Sequence, residues 1–379
     1  MSDVFVLGTG MIPFGKYPEK TLGELGWPAL REAMLEADVR GADVDAVYCG
    51  TALGGMLAGQ RVAKALGLSG MPIINVENAC SSSSSALAQA WMAVKSGACD
   101  VVAVIGVEKL TKFGGGTLPL EREDWEVNHG MVMPALYAMR AVRYMHDFGL
   151  TESQLAQVSV KAHDHGALNP NAQIRKRVTL EEVMNARLVA EPFTLWHCCP
   201  TGDGAAALII GSAAAARKSG KGKVRISASE VTSGKYTNGF RDMTYPELTV
   251  RGAHEAYEMA GVGPDDVDVA EIHDAFTIAE LMYYEAFGFC ERGGAYELLD
   301  SGATSLGGRV PVNPSGGLLS RGHPVGATGA VQAVEIVRQL EGRIGAHQVE
   351  GAKVGITHAT GGGVSGFDHG ACSIHVFTT

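Results

Sequence analysis

Asn313-Pro-Ser-Gly-Gly-Leu-Leu-Ser-Arg-Gly-His-Pro-Val-Gly-Ala-Thr-Gly329 carries five glycines in seventeen residues around a single histidine, His323. Glycine at that density lets a backbone turn tightly and lets a ligand approach closely. Pro324 suits the first position of a helix, so His323 is expected at the N-cap, with the apolar periodicity of 326–340 as the helix and 353–357 as the strand after it. A histidine so placed can take a proton from a nearby thiol and return it.

The same pattern occurs earlier. Glu77-Asn-Ala-Cys80-Ser-Ser-Ser-Ser-Ser-Ala-Leu87 follows an apolar run at 72–76 and opens a helix expected over 82–96, with a strand at 101–107. The serines are read as N-cap residues. A thiol at a helix start feels unpaired N–H groups and the positive end of the dipole, which favour the nucleophilic thiolate. A buried structural cysteine at a strand-to-helix turn is the alternative. Further strands are expected at 4–7 and 46–49, and further helices at 22–37 and 280–287. Alternating strands and helices predict an α/β fold, and the two similar passages predict a duplicated βαβ-containing unit. The halves are 1–219 and 220–379. A loop domain of about 109–199, rich in Met and charge, is inserted in the first, where it is expected to cover the site.

Two more segments carry chemistry. Glu271-Ile-His273-Asp-Ala-Phe-Thr277 lies at a strand-to-helix junction, where His273 can hydrogen-bond a carbonyl oxygen or orient a water; a His–Asp pair that only caps the helix is the bland reading. His358-Ala-Thr-Gly-Gly-Gly-Val-Ser-Gly366 offers backbone amides for an oxyanion, or a flexible turn.

Composition narrows the field. The 379 residues, 46% hydrophobic and 19% charged, are ample for a large core. A net charge of −10 argues against nucleic acid. A local basic patch of Arg175-Lys-Arg177 with Arg140, Arg143 and Lys161 is expected either to hold one anionic cofactor or to be a solvated surface. Seven scattered cysteines predict reduced thiols rather than a disulfide framework. The first residues lack a signal-peptide pattern, and the longest apolar run, 205–216, is too short and interrupted to span a bilayer, so a cytoplasmic location is expected. His163-x-His165 and His197-Cys-Cys199 lack a Cys-x-x-Cys companion, and no metal is expected.

In this order the four segments resemble the thiolase superfamily over essentially the whole chain. Asp203-Gly-Ala-Ala-Ala and Arg143-Tyr-Met-His-Asp-Phe-Gly-Leu150 with Val158-Ser-Val-Lys161 strengthen the likeness. The resemblance implies two pseudo-repeated α/β halves in a five-layered core with an inserted loop domain that binds CoA, and a homodimer formed through the core. It implies Cys80 as acyl-accepting nucleophile and His323 as its activator and part of a first oxyanion hole. It places His273 where many thiolases carry the Asn of Asn-Glu-Ala-Phe, and gives Gly361 an amide that completes a second oxyanion hole with that of Cys80. The His-Asp form is similar to the sterol-carrier-protein type and its microbial relatives, of acetoacetyl-CoA thiolase-like or benzoylsuccinyl-CoA thiolase-like large-subunit character. Members of that kind work with a small partner built of a zinc ribbon and an OB-fold. No cofactor is implied beyond coenzyme A as co-substrate, with acyl-CoA as the substrate.

One departure stands out. The second catalytic cysteine of typical thiolases is matched here by Ala359, and the sterol-carrier position for it by Ala275. His358 and His273 are the expected substitutes as acid/base. Residues 194–200 are expected to shape the acyl pocket. Two other readings stay open. One is a decarboxylating synthase using Cys80, His273 and His323, although such enzymes carry a lysine where this chain has Leu318-Leu-Ser-Arg321. The other is a catalytically silent CoA-binding scaffold.

Overall fold

The computed structural model describes residues 2–379. Its centre is one nine-stranded sheet of order β3-β2-β4-β7-β1-β8-β11-β10-β9. The strands are β1 Val4–Met11, β2 Ala46–Gly50, β3 Ile73–Val76, β4 Val101–Lys109, β7 Asp203–Ser212, β8 Val224–Thr232, β9 Val269–Glu271, β10 Val354–Gly361 and β11 Ala371–Thr378. A separate pair, β5 Leu188–Ala190 and β6 Phe193–Thr194, lies in the segment between β4 and β7.

The duplication is written in the pairing. Outward from β1, the neighbours β7 and β4 are antiparallel and β2 is then parallel to β4. Outward from β8, β11 and β10 are antiparallel and β9 is then parallel to β10. The outermost strand β3 has only a single-residue counterpart, the parallel bridge of Val312 to Ala270. The two parts meet where Phe5 and Val6 pair with Arg225 and Val224.

Helices Ser82–Lys95 and Thr328–Leu340 pack together between the two parts of the sheet, while Leu22–Ala37 and Glu247–Ala260 cover the outer faces. The stacking is helix, sheet, helix pair, sheet, helix. The central helices approach closely because their facing residues are small. A Cβ on Gly329 would stand 2.5 Å from the Cβ of Ser84. Strand β7, buried along all ten residues, was not expected from its sequence, since a strand covered on both faces reads as an unbroken apolar run.

Three expectations need correction here. The serines after Cys80 do not cap their helix, because the helix is buried and its hydroxyls bridge elements instead. Ser84 Oγ lies 2.8 Å from His375 Nε2, Ser83 Oγ accepts from Ala330 N at 2.9 Å, and Ser81 Oγ meets Ser373 Oγ at 2.6 Å. His323 is not an N-cap: Pro324 is extended, a tight turn spans Val325–Ala327, and the helix begins at Thr328. The basic patch does not assemble. Arg140 is buried against Asp368, and Lys161 is buried 2.6 Å from Glu280 Oε1, while 175–177 stay on the surface.

Candidate active site

Cys80 sits in a tight turn, Ala79–Ser81, between β3 and the helix Ser82–Lys95. Ala79 is held at φ 49°, a left-handed conformation that costs a non-glycine residue about 1–2 kcal/mol and is typical of strained functional turns. Behind it, Gly361 at the end of β10 allows the close approach: a Cβ there would lie 2.0 Å from Asn78 O.

His323 Nε2 lies 3.3 Å from Cys80 Sγ, and His323 Nδ1 lies 2.7 Å from Thr328 Oγ1. The Thr328 hydroxyl also reaches Pro324 O at 3.4 Å. With its proton on that carbonyl, it accepts from Nδ1–H, which leaves the Nε2 lone pair facing the thiol. The His273 ring stands edge-on to His323 at 5.1 Å between centroids. One ligating atom from each of Cys80, His273 and His323 falls within 4.8 Å of the others. His273 Nδ1 is buried without a hydrogen-bond partner.

Electrostatics correct the expectation of a resting thiolate. Burial pushes the Cys80 thiol up to about 12, outweighing the Gly362 amide and its own amide, which favour the anion. Burial likewise pushes His323 down to about 3 and His273 well below the usual range. The resting pair is therefore neutral thiol and neutral imidazole, and the anion forms only as His323 takes the proton.

A cavity of about 410 Å³ opens over this pair, lined by Cys80, His273, His323, Thr360 and Gly362 from the core and by Leu118, Met133, Tyr137, Leu195, Cys198 and Cys199 from the segment between β4 and β7. That volume is in the range of small-molecule sites. Leu195 and 198–201 do line it, whereas Trp196 turns away to pack edge-on against His163 at 4.9 Å. Two expected residues do not face the cavity. His358 is buried behind it, sharing 3.1 Å with Thr249 Oγ1 between the rings of Tyr283 and Phe287. Gly361 is paired in the sheet opposite Ala371, and the next amide, that of Gly362, reaches Cys80. The other histidines point apart: His163 Nδ1 bonds Ser159 O, His165 Nδ1 bonds Asn313 O, and His197 Nδ1 bonds Thr194.

Two positioning groups were given no role from the sequence, although Arg321 lies within the stretch 313–329. Glu108, buried at the end of β4, accepts from Ala52 N, Leu53 N and Gly326 N at 2.8, 3.1 and 3.0 Å, tying the turn after β2 to the His323 turn. Arg321 Nη1 donates to Glu271 Oε2 at 2.9 Å, joining the His323 turn to the strand that leads to His273. A hydrophobic pattern cannot reveal either, since both are polar residues inside the core. Their partners, backbone amides for Glu108 and a carboxylate for Arg321, come from distant segments.

Comparison with known proteins gives the following. Residues 4–214 match the family model "Thiolase, N-terminal domain", and residues 229–368 match "Thiolase C-terminal domain-like". An acetyl-CoA acetyltransferase of Methanothermobacter thermautotrophicus is 40% identical, with all of both chains covered. The benzoylsuccinyl-CoA thiolase subunit BbsB of Thauera aromatica is 42% identical over 95% of each chain. Among solved structures, the Ltp2-ChsH2(DUF35) aldolase superposes with a TM-score of 0.85 at 26% identity, covering 99% of this chain and 98% of that one.

Proposed function

This chain belongs to the thiolase family, and from that premise we propose that it makes or cleaves a β-ketoacyl-CoA through an acyl group carried on Cys80. The observation that carries the reading is the 3.3 Å contact of Cys80 Sγ with His323 Nε2, beside His273, in the lining of a cavity of about 410 Å³.

In the cleavage direction, the Cys80 S–H proton passes to His323 Nε2 and the sulfur attacks the keto carbon of the substrate. The amides of Cys80 and Gly362 reach the sulfur, which supports that pair as donors to the tetrahedral oxyanion in place of the expected Gly361 amide. The bond between the α-carbon and the keto carbon breaks, the departing enolate oxygen sits against the ring N–H groups of His273 and His323, and the proton taken from Cys80 is returned to the α-carbon to complete the shortened acyl-CoA. The thiol of coenzyme A then attacks the acyl-Cys80 thioester and carries the acyl group away, restoring Cys80. Mass spectrometry of the Cys80 peptide after incubation with a panel of β-ketoacyl-CoAs tests this. An added acyl mass on Cys80, absent in Cys80→Ala, is expected; turnover by Cys80→Ala would sink it.

A bulky or aromatic acyl group is the substrate class we favour. The name of the Thauera aromatica relative and the lining by Leu118, Met133, Leu195 and Phe276 support it. That relative is named as a subunit, and the aldolase superposed above contains a DUF35 component, which supports a second, small zinc-ribbon and OB-fold subunit for this chain. The unpaired outer edge of β3, with Ile74 exposed, supports a homodimer. Among the described residues no helix is long and apolar enough to cross a membrane, and seven free cysteines support work in a reducing compartment such as the cytoplasm. The paired histidines over Cys80 also favour a second reading, decarboxylating condensation. A rate with malonyl-CoA far above that with acetyl-CoA would select it.

A further inference from the structure

Neither histidine facing Cys80 has a hydrogen-bonded carboxylate behind it, and the positions matching the missing second cysteine, Ala275 and Ala359, are apolar. The same cavity is lined by a tyrosine whose hydroxyl is linked through a histidine to a carboxylate. Tyr137, on the helix Met133–Phe148, lines the cavity and stacks on Phe276 at 4.6 Å. Its Oη is 2.7 Å from His369 Nε2, and His369 Nδ1 lies 3.5 Å from Asp368 Oδ1. Asp368 is in turn ion-paired with the buried Arg140. Tyr137 and Cys80 line the same cavity.

We propose that Tyr137 is the acid/base that exchanges a proton with the α-carbon of the bound thioester, with His369 and Asp368 as positioning residues that take up and balance the charge. This rests on the reading of Cys80 as the acyl carrier. His369 is neutral at rest, since burial lowers it, so its Nε2 accepts from the Tyr137 hydroxyl while Nδ1–H points at the Asp368 carboxylate. In the condensation direction, the Cα–H bond breaks and its proton moves to Tyr137 Oη as the phenol proton moves to His369 Nε2. The electron pair left on carbon forms the new C–C bond to the acyl carbon, and the C–S bond to Cys80 breaks. Sulfur leaves as thiolate, so one proton gained by His369 balances one charge left on Cys80. Cys199 lines the same cavity, but burial pushes its thiol well up and no histidine is hydrogen-bonded to it.

Two rates separate the roles. Deuterium entry into the acetyl group of acetyl-CoA in D2O reads α-carbon proton transfer. Acetyl transfer from acetyl-CoA to pantetheine reads Cys80 alone. Tyr137→Phe and His369→Gln are expected to lower the first relative to the second by about 10²- to 10⁴-fold, the range of general acid–base catalysis. For His369→Gln the half-saturating acetyl-CoA concentration should hold while the maximal exchange rate falls. If both rates fall in step, the residues only support the fold and the proposal is overturned. It is equally overturned if exchange survives Tyr137→Phe and is lost in Cys199→Ala. Absence of acyl transfer to pantetheine from every acyl-CoA tried with the unaltered protein would remove the Cys80 reading itself, a result distinct from either.

Discussion

Thr328→Val tests the electrostatic logic of the site at a residue that does not touch the sulfur. The substitution keeps the branched shape but removes the hydroxyl that accepts from His323 Nδ1–H at 2.7 Å. Both groups are buried, so the orphaned N–H costs about 1–3 kcal/mol if the ring stays as it is. The ring escapes that cost by moving its proton to Nε2, where it faces Cys80 and cannot accept. With the thiol pushed up to about 12, there is no standing thiolate to fall back on. Recovering the productive tautomer then costs up to the same about 1–3 kcal/mol, a loss of about 5- to 150-fold in acylation rate. Thr328→Ser, which restores the oxygen, should return most of it. The assay is the rate of acylation of Cys80 under single turnover, with iodoacetamide alkylation of Cys80 as a second measure, at matched thermal stability. An acylation rate for Thr328→Val within about twofold of the parent would refute the tautomer argument, because twofold is under 0.5 kcal/mol.

Other consequences can be checked more briefly. Asp368→Ala leaves Arg140 buried and unpaired, and urea unfolding should show a loss of about 3–5 kcal/mol; a change below about 1 kcal/mol would mean the pair is solvated. Stability should fall as pH drops from about 6.5 toward 4. His165, His323 and His358 are pushed down to about 3 and His375 to about 4 by burial, so in that window the unfolded chain binds more protons than the native one. Urea midpoints that stay flat between pH 7 and 4.5 would contradict it. Gly361→Ala forces a Cβ to 2.0 Å from Asn78 O, so the Cys80 turn must shift; a loss of about 1–3 kcal/mol or more and of Cys80 acylation is expected, and a variant that acylates normally would show the turn is slack.

The sequence by itself determined the α/β class, the duplication and the three residues that meet at the site. Cys80 and His273 each sit where a strand pattern gives way to a helix pattern, His323 sits in the glycine-rich turn ahead of a helix, and strand ends of such a sheet converge. Apolar periodicity also placed the outer helix Leu22–Ala37, to which the structure adds a Thr21–Glu24 capping box. What only the tertiary structure decided depends on burial and on partners far apart in the chain. The charge state of Cys80 was misjudged from its helix-start setting, because desolvation by the surrounding core outweighs the local amides. Arg140 and Lys161 looked like surface cations until Asp368 and Glu280, more than a hundred positions away, took them into the interior. The Tyr137–His369 contact spans 232 positions and no pattern of spacing anticipates it. Periodicity reports which face of an element is apolar; it carries no information on which distant polar group will be folded against it.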